Sequence, residues 1–258
     1  MLAHFAMRLA FGISLMLCLM PRDKVPSAFF RIMMLVLLGF GVLSAAAEEH
    51  AISFYDAAES TVLRFARAMD VICAAAAFLG SIFWTLERRR TGSLLLLVIA
   101  GISGARLIGP YFGFSAGLSP TLVIPTVASQ LATAASLGAA MTAMLLGHRY
   151  LTAPGMPLDP LIRLNQYLGG AVVLRAVMSG WGLTLLPSQL NSSTHLTWLA
   201  LRWLAGIVGP AIVVVMVRQI LKYKNTQSAT GVLFVGVILT FIGELTGDLL
   251  FREVGVPL

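Results

Sequence analysis

The sequence predicts an all-α, polytopic membrane protein, a bundle of about eight transmembrane helices with both termini outside. Three observations predict it. The 258 residues are 58% hydrophobic and only 11% charged, with a mean hydropathy of +0.89, against roughly 25% charged residues in an ordinary soluble domain. Apolar runs of about 20 residues, the length that crosses a hydrocarbon core, recur along the whole chain. The basic residues gather in alternate connections between those runs.

The candidate helices are 3–20, 29–47, 63–86, 92–109, 121–147, 161–186, 196–220 and 229–251. The first could pass for a signal peptide, but no A-x-A-like site follows its apolar stretch and "PRDK" does, so it reads as a retained helix. Between the second and third lies "AEEHAISFYDAAES", and between the fourth and fifth "PYFGFSAGLSP", the two longer connections on one side. The fourth carries "GISGAR", with Gly101 and Gly104 just before Arg106. After the fifth, "GHRYLTAPGMPLDP" places Pro154, Pro157 and Pro160 in an extended, poorly helical loop, with His148, Arg149 and Tyr150 suited to the headgroup layer. The seventh contains "GIVGP", which predicts a kink at Gly206 to Pro210. On the eighth, Gly236, Thr240, Gly243 and Gly247 form one small face, along which another helix can approach closely. No hydrophilic domain interrupts the chain, so residues 1–258 read as a single integral-membrane helical domain.

Orientation follows from charge. The connections after the first, third, fifth and seventh helices hold Arg22, Lys24, Arg31, Arg88, Arg89, Arg90, Arg149, Arg163, Arg218, Lys222 and Lys224, 11 of the 18 basic residues. Glu48, Glu49, Asp56, Glu59 and Glu253 fall on the other side. By the positive-inside rule the basic loops are cytoplasmic, in what reads as a bacterial inner membrane. The net charge of +7 is therefore a topology signal, and its scatter argues against a nucleic-acid partner.

Charges inside the runs mark the candidate site. At about 1.5 Å per residue, Arg8, Arg64, Arg67, Asp70, Arg106, Arg202, Glu244 and Asp248 fall in the outer half or at its rim, and Arg175 lies near mid-membrane. An ion at the bilayer centre is disfavoured by about 2.5–3.5 kcal/mol even on the lenient insertion scale, so these side chains should turn inward and pair. Glu244 and Asp248, four residues apart on one helical face, are expected to meet two of Arg67, Arg106, Arg175 and Arg202 across an outer-half polar pocket, or else one of them holds a proton. Arg64, Arg67 and Asp70, three residues apart in turn, supply a polar stripe for its opposite wall.

Several chemistries are excluded or disfavoured. Cys18 and Cys73 are isolated, and no HExxH, phosphate-cradling glycine loop or nucleophile elbow is present, so no metal site, kinase or hydrolase is read. A haem buried in the bilayer needs axial histidines facing each other at matching depth, whereas His4, His50 and His195 lie near the outer surface and His148 near the inner. No haem is expected in this chain.

The closing stretch "IGELTGDLLFREVGV" resembles the last helix of the membrane-anchor subunits of dimethyl sulfoxide reductases, through Gly243, Glu244, Leu245, Gly247 and Phe251. Asp248 stands where those anchors often have a basic residue. Polysulfide-reductase anchors share the theme. The resemblance implies eight helices with both ends outside, oxidation of a quinol near the outer face, and electron transfer to a partner iron-sulfur subunit. It casts Glu244 or Asp248 as the group that takes the quinol proton, with Arg67 or Arg106 tuning it, and makes the chain part of a respiratory oxidoreductase rather than a complete enzyme. Two other classes stay open: a solute or ion transporter binding at Arg67, Asp70, Arg106, Arg175 and Arg202, and a structural or assembly subunit.

Overall fold

The computed structural model describes residues 2–52, 57–112, 120–153, 155–184 and 192–254. In chain order they form α1 (Leu2–Leu19), α2 (Ser27–Ile52), α3 (Ala57–Thr85), α4 (Arg89–Ile108), a 3-10 turn (Gly109–Tyr111), α5 (Pro120–Thr152), α6 (Asp159–Thr184), α7 (Ser193–Trp203), a π-helical turn (Leu204–Val208), α8 (Gly209–Lys222) and α9 (Thr226–Val254). All-helical structure is what a bilayer demands of a spanning chain, because each backbone N–H and C=O must find its partner within the segment. Seven spans are long and apolar enough to cross: α1, α2, α3, α4, α5, α7 continued through α8, and α9. The sixth candidate, α6, has 26 residues, ample length, but Arg163, Asn165, Gln166 and Arg175 interrupt its apolar run and leave it outside that set.

Packing divides the chain into two compact units, Met1–Pro110 and Tyr111–Leu258. In the first, α1 packs on α2 and α4, and α3 packs on α2 and α4, so the four helices close a ring. Its core is Leu9, Ile13 and Leu17 from α1, Phe30, Met33 and Leu37 from α2, Trp84 from α3, and Leu96 and Ile99 from α4. Phe30 stacks on Trp84 with ring centroids 4.2 Å apart. At the basic end Arg89 Nη1 donates to Arg22 O at 3.0 Å, which ties the two basic connections of this unit together.

In the second unit α5 packs on α6 and α9, α6 on α8, and α9 along α7, the π-helical turn and α8. The alanine-rich inner face of α5, Ala132, Ala139, Ala140 and Ala143, lets its neighbours come close. On α9 the small face meets the helix beside it as the spacing predicts: Gly236 lies against Val213, Gly243 against Gly206, and Gly247 against Arg202.

Three local expectations change. Where a kink was expected, Gly206 to Pro210 lie within or next to a π-helical turn. Pro210 has no N–H to give, and the N–H of Gly209 donates to Leu204 O, five residues back. Glu48 and Glu49, assigned to a loop, ride on the last turns of α2, which runs to Ile52. The proline-rich connection after α5 is shorter than expected: α5 runs to Thr152 and Pro160 lies in the first turn of α6, while Tyr150 reaches across by donating its hydroxyl to Pro157 O at 2.5 Å. Residues 113–119 of "PYFGFSAGLSP", and Asp56, lie outside the described residues.

Candidate functional site

The buried charges sort into two networks, one in each unit. In the first, Asp70 on α3 is fully buried and Arg106 reaches it from α4, Nε to Oδ1 at 2.9 Å and Nη2 to Oδ2 at 3.5 Å. The same guanidinium takes Glu48 from α2, Nη2 to Oε1 at 2.8 Å. Ser44, one turn before Glu48, donates its hydroxyl to Asp70 Oδ2 at 2.6 Å. A planar fork with several donors can hold two carboxylates at once, which a lysine could not do in this geometry.

Beside this network a cleft of about 890 Å³ opens where α1 begins, α2 ends and α3 begins. Its walls are mostly apolar, including Leu2, Leu43, Ala47 and Val62, with Glu48, His4 and His50 as its polar groups. Glu48 thus faces the cleft while Arg106 holds it from behind.

In the second unit the acceptor is Glu244 on α9, 3% exposed. Its Oε2 takes Arg175 Nη2 from α6 at 3.1 Å and Arg202 Nη1 from α7 at 3.5 Å. Arg202 Nη1 also donates to Gly243 O at 3.1 Å. The glycines make this possible: a side chain on Gly243 would run into the backbone of Gly206, and a Cβ on Gly247 would lie 2.6 Å from Arg202 Nη1. Asp248, one turn beyond Glu244, is half-buried.

Within each unit the pairings sort the expected partners. Glu244 meets Arg175 and Arg202, as one of the expected combinations has it, while Arg106 serves Asp70 and Glu48. Arg67 pairs with Glu49 at an exposed position. The stripe of Arg64, Arg67 and Asp70 divides, because six residues turn a helix by about 600°, or 120° short of two turns: Arg64 and Arg67 are exposed and Asp70 is buried.

Sequence reading missed Ser44, Glu48 and the joint position of His4 and His50 on one cleft. The available signal was the four-residue step from Ser44 to Glu48, hidden once Glu48 was assigned to a loop. It also missed a polar stripe on α5, where Thr126, Ser129, Gln130, Thr133 and Ser136 recur at helical spacing and are all buried; no charge marks it. His195 Nε2 lies 2.7 Å from Glu253 Oε2. Among the described residues no three His, Cys, Asp or Glu side chains gather as a metal site would require. No known protein family matches the chain, and no curated protein or solved structure does.

Proposed function

We propose that the chain is a quinone-binding membrane subunit of a respiratory redox complex, with its quinol site in the cleft between α1, α2 and α3. The observation that carries this is the joint position of Glu48, His4 and His50 on an otherwise apolar cleft, with Arg106 behind Glu48. A quinol needs an apolar slot for its ring and isoprenoid tail, and proton acceptors within hydrogen-bond reach of its two hydroxyls. The volume of about 890 Å³ is within the usual range for a small-molecule site. One carboxylate and one imidazole accept the two protons, and the two electrons leave to an iron-sulfur subunit docked over the same face. Quinol becomes quinone, and Arg106 fixes the carboxylate through turnover.

In this reading all eight long helices cross a bacterial inner membrane, with both termini outside. The cleft then opens at the outer face, where the resemblance to reductase anchors puts quinol oxidation. Glu244 locks α6, α7 and α9 together rather than meeting substrate. A second reading, a transporter, draws on one feature, the π-helical turn beside Arg202 and Gly243, since such turns often sit at functional sites.

The test begins with tagged protein purified from its native membranes in mild detergent, with mass spectrometry of what accompanies it and extraction of bound quinone. A stoichiometric iron-sulfur subunit and a quinone that E48Q no longer retains are expected. A chain that purifies alone, with no quinone in wild type, overturns the proposal.

A further inference from the structure

A second cleft, of about 540 Å³, lies between α6 and α8. It is separate from the Glu244 network: Asn165, which lines it, is ten residues from Arg175, or about 15 Å along α6. Three side chains set its chemistry. Asn165 is 3% exposed, and its Nδ2 donates to Val214 O at 3.0 Å. That bond fixes the amide so that Oδ1 is a buried acceptor, with no hydrogen-bond donor among the described residues. Arg218 and Lys222, one turn apart on α8, are the cations of the same cleft, and both are exposed. Gln166 adds an exposed amide to the lining, the rest of the wall is apolar or bare, and a Cβ on Gly170 would meet open space.

An unpaired acceptor buried beside two cations is a specific demand. An ionised phosphodiester satisfies Arg218 and Lys222 but has no proton for Asn165 Oδ1. An ammonium could donate to Oδ1, but the two cations repel it. A hydroxyl meets the requirement. Lys222 is in the last turn of α8, where a crossing helix reaches the headgroup layer. From the cleft, Gly170, Val173 and Val177 continue on one exposed stripe of α6, along which an acyl chain can lie.

We propose that this cleft binds an anionic phospholipid with a hydroxylated headgroup, of which phosphatidylglycerol is the simplest. The phosphate sits between Arg218 and Lys222, a headgroup hydroxyl donates to Asn165 Oδ1, and a chain lies along Gly170, Val173 and Val177.

The experiment measures the melting temperature of the purified full chain in detergent as lipid is added. Dioleoyl phosphatidylglycerol is compared with the phosphatidylcholine and phosphatidylethanolamine of the same chains and with inorganic phosphate. Phosphatidylglycerol alone should raise the midpoint. The concentration needed should rise about 30-fold in R218Q/K222Q, from the loss of two surface cations. Gly170→Leu, which fills the cleft without meeting backbone, should remove the response. Equal action by phosphatidylcholine would reduce the site to an apolar groove, and equal action by phosphatidylethanolamine would remove the hydroxyl. A response to inorganic phosphate alone would make it a free-anion site, and an unchanged R218Q/K222Q would mean bulk charge. Each of these overturns the proposal.

Discussion

Gly243 on α9 lies backbone to backbone against Gly206 in the π-helical turn, so close that a methyl group on either would overlap the other. The contact carries Arg202 over Glu244 and lets Arg175 reach the same carboxylate oxygen. The small face and the buried ion network are thus one construction: without the first, the second has no geometry.

Gly243→Ala is expected to be among the most damaging single changes in the chain, because the obstacle is backbone that cannot turn away. Gly80→Ala makes the control. There a Cβ would lie 2.6 Å from Met34 Cε, the far end of a flexible side chain that can rotate aside. Melting in detergent should fall sharply for the first and by a few degrees at most for the second; similar losses in both would contradict the asymmetry.

Glu244→Gln leaves Arg175 and Arg202 buried around a neutral amide. Breaking a buried ion network by removing one partner is worth roughly 3–5 kcal/mol, a fall of roughly 6–20 °C in melting temperature for a protein of this size. Removing all the charge together, as R175M/R202M/E244L, should recover much of the loss, because well-packed apolar groups often replace a buried network at no net penalty. A single E244Q variant that melts like wild type would show that the carboxylate holds nothing in place.

Around Arg106 the order of effects is the prediction. Asp70→Asn removes a fully buried carboxylate that serves Arg106 and Ser44, and should lose roughly 3 kcal/mol or more. Ser44→Ala removes a hydroxyl that donates to that carboxylate and should lose about 1.5–3 kcal/mol. Glu49→Gln touches only the exposed pair with Arg67 and should change stability by less than about 1 kcal/mol. Denaturation of the three variants gives the ranking directly, and Glu49→Gln falling furthest would reverse the assignment of inside and outside on α2 and α3.

Tyr150→Phe deletes only the hydroxyl that reaches Pro157 O. The connection should open about fivefold more often, the equivalent of one net hydrogen bond of about 1 kcal/mol. Hydrogen exchange of the backbone between residues 151 and 158 reads it, while the helices on either side should exchange as in wild type. Unchanged exchange would mean that the prolines alone hold the loop.

The existence and order of the long helices were legible because apolar length is a one-dimensional signal. The small face of α9 was legible for the same reason: Gly243 and Gly247 are a spacing, and a spacing survives folding. What the sequence could not carry was azimuth between helices. It gave Arg106 and Glu244 similar depths, but which wall each arginine faces depends on how neighbouring helices rotate, and packing sets that. Glu48 was lost for a different reason. An acid at the end of an apolar run reads as loop, whereas α2 continues past it to Ile52 and Arg106 receives it.

The pairing of Arg175 with Glu244 also has a consequence for how the chain is made. The two residues are 69 positions apart, and the acid comes second. At a synthesis rate of roughly 5–20 residues per second, Arg175 is in existence for roughly 3–14 s before Glu244 is made. During that interval α6, the long helix outside the set apolar enough to cross, has its arginine and no carboxylate from α9 to set against it. The seating of α6 by Glu244 therefore waits on the last helix.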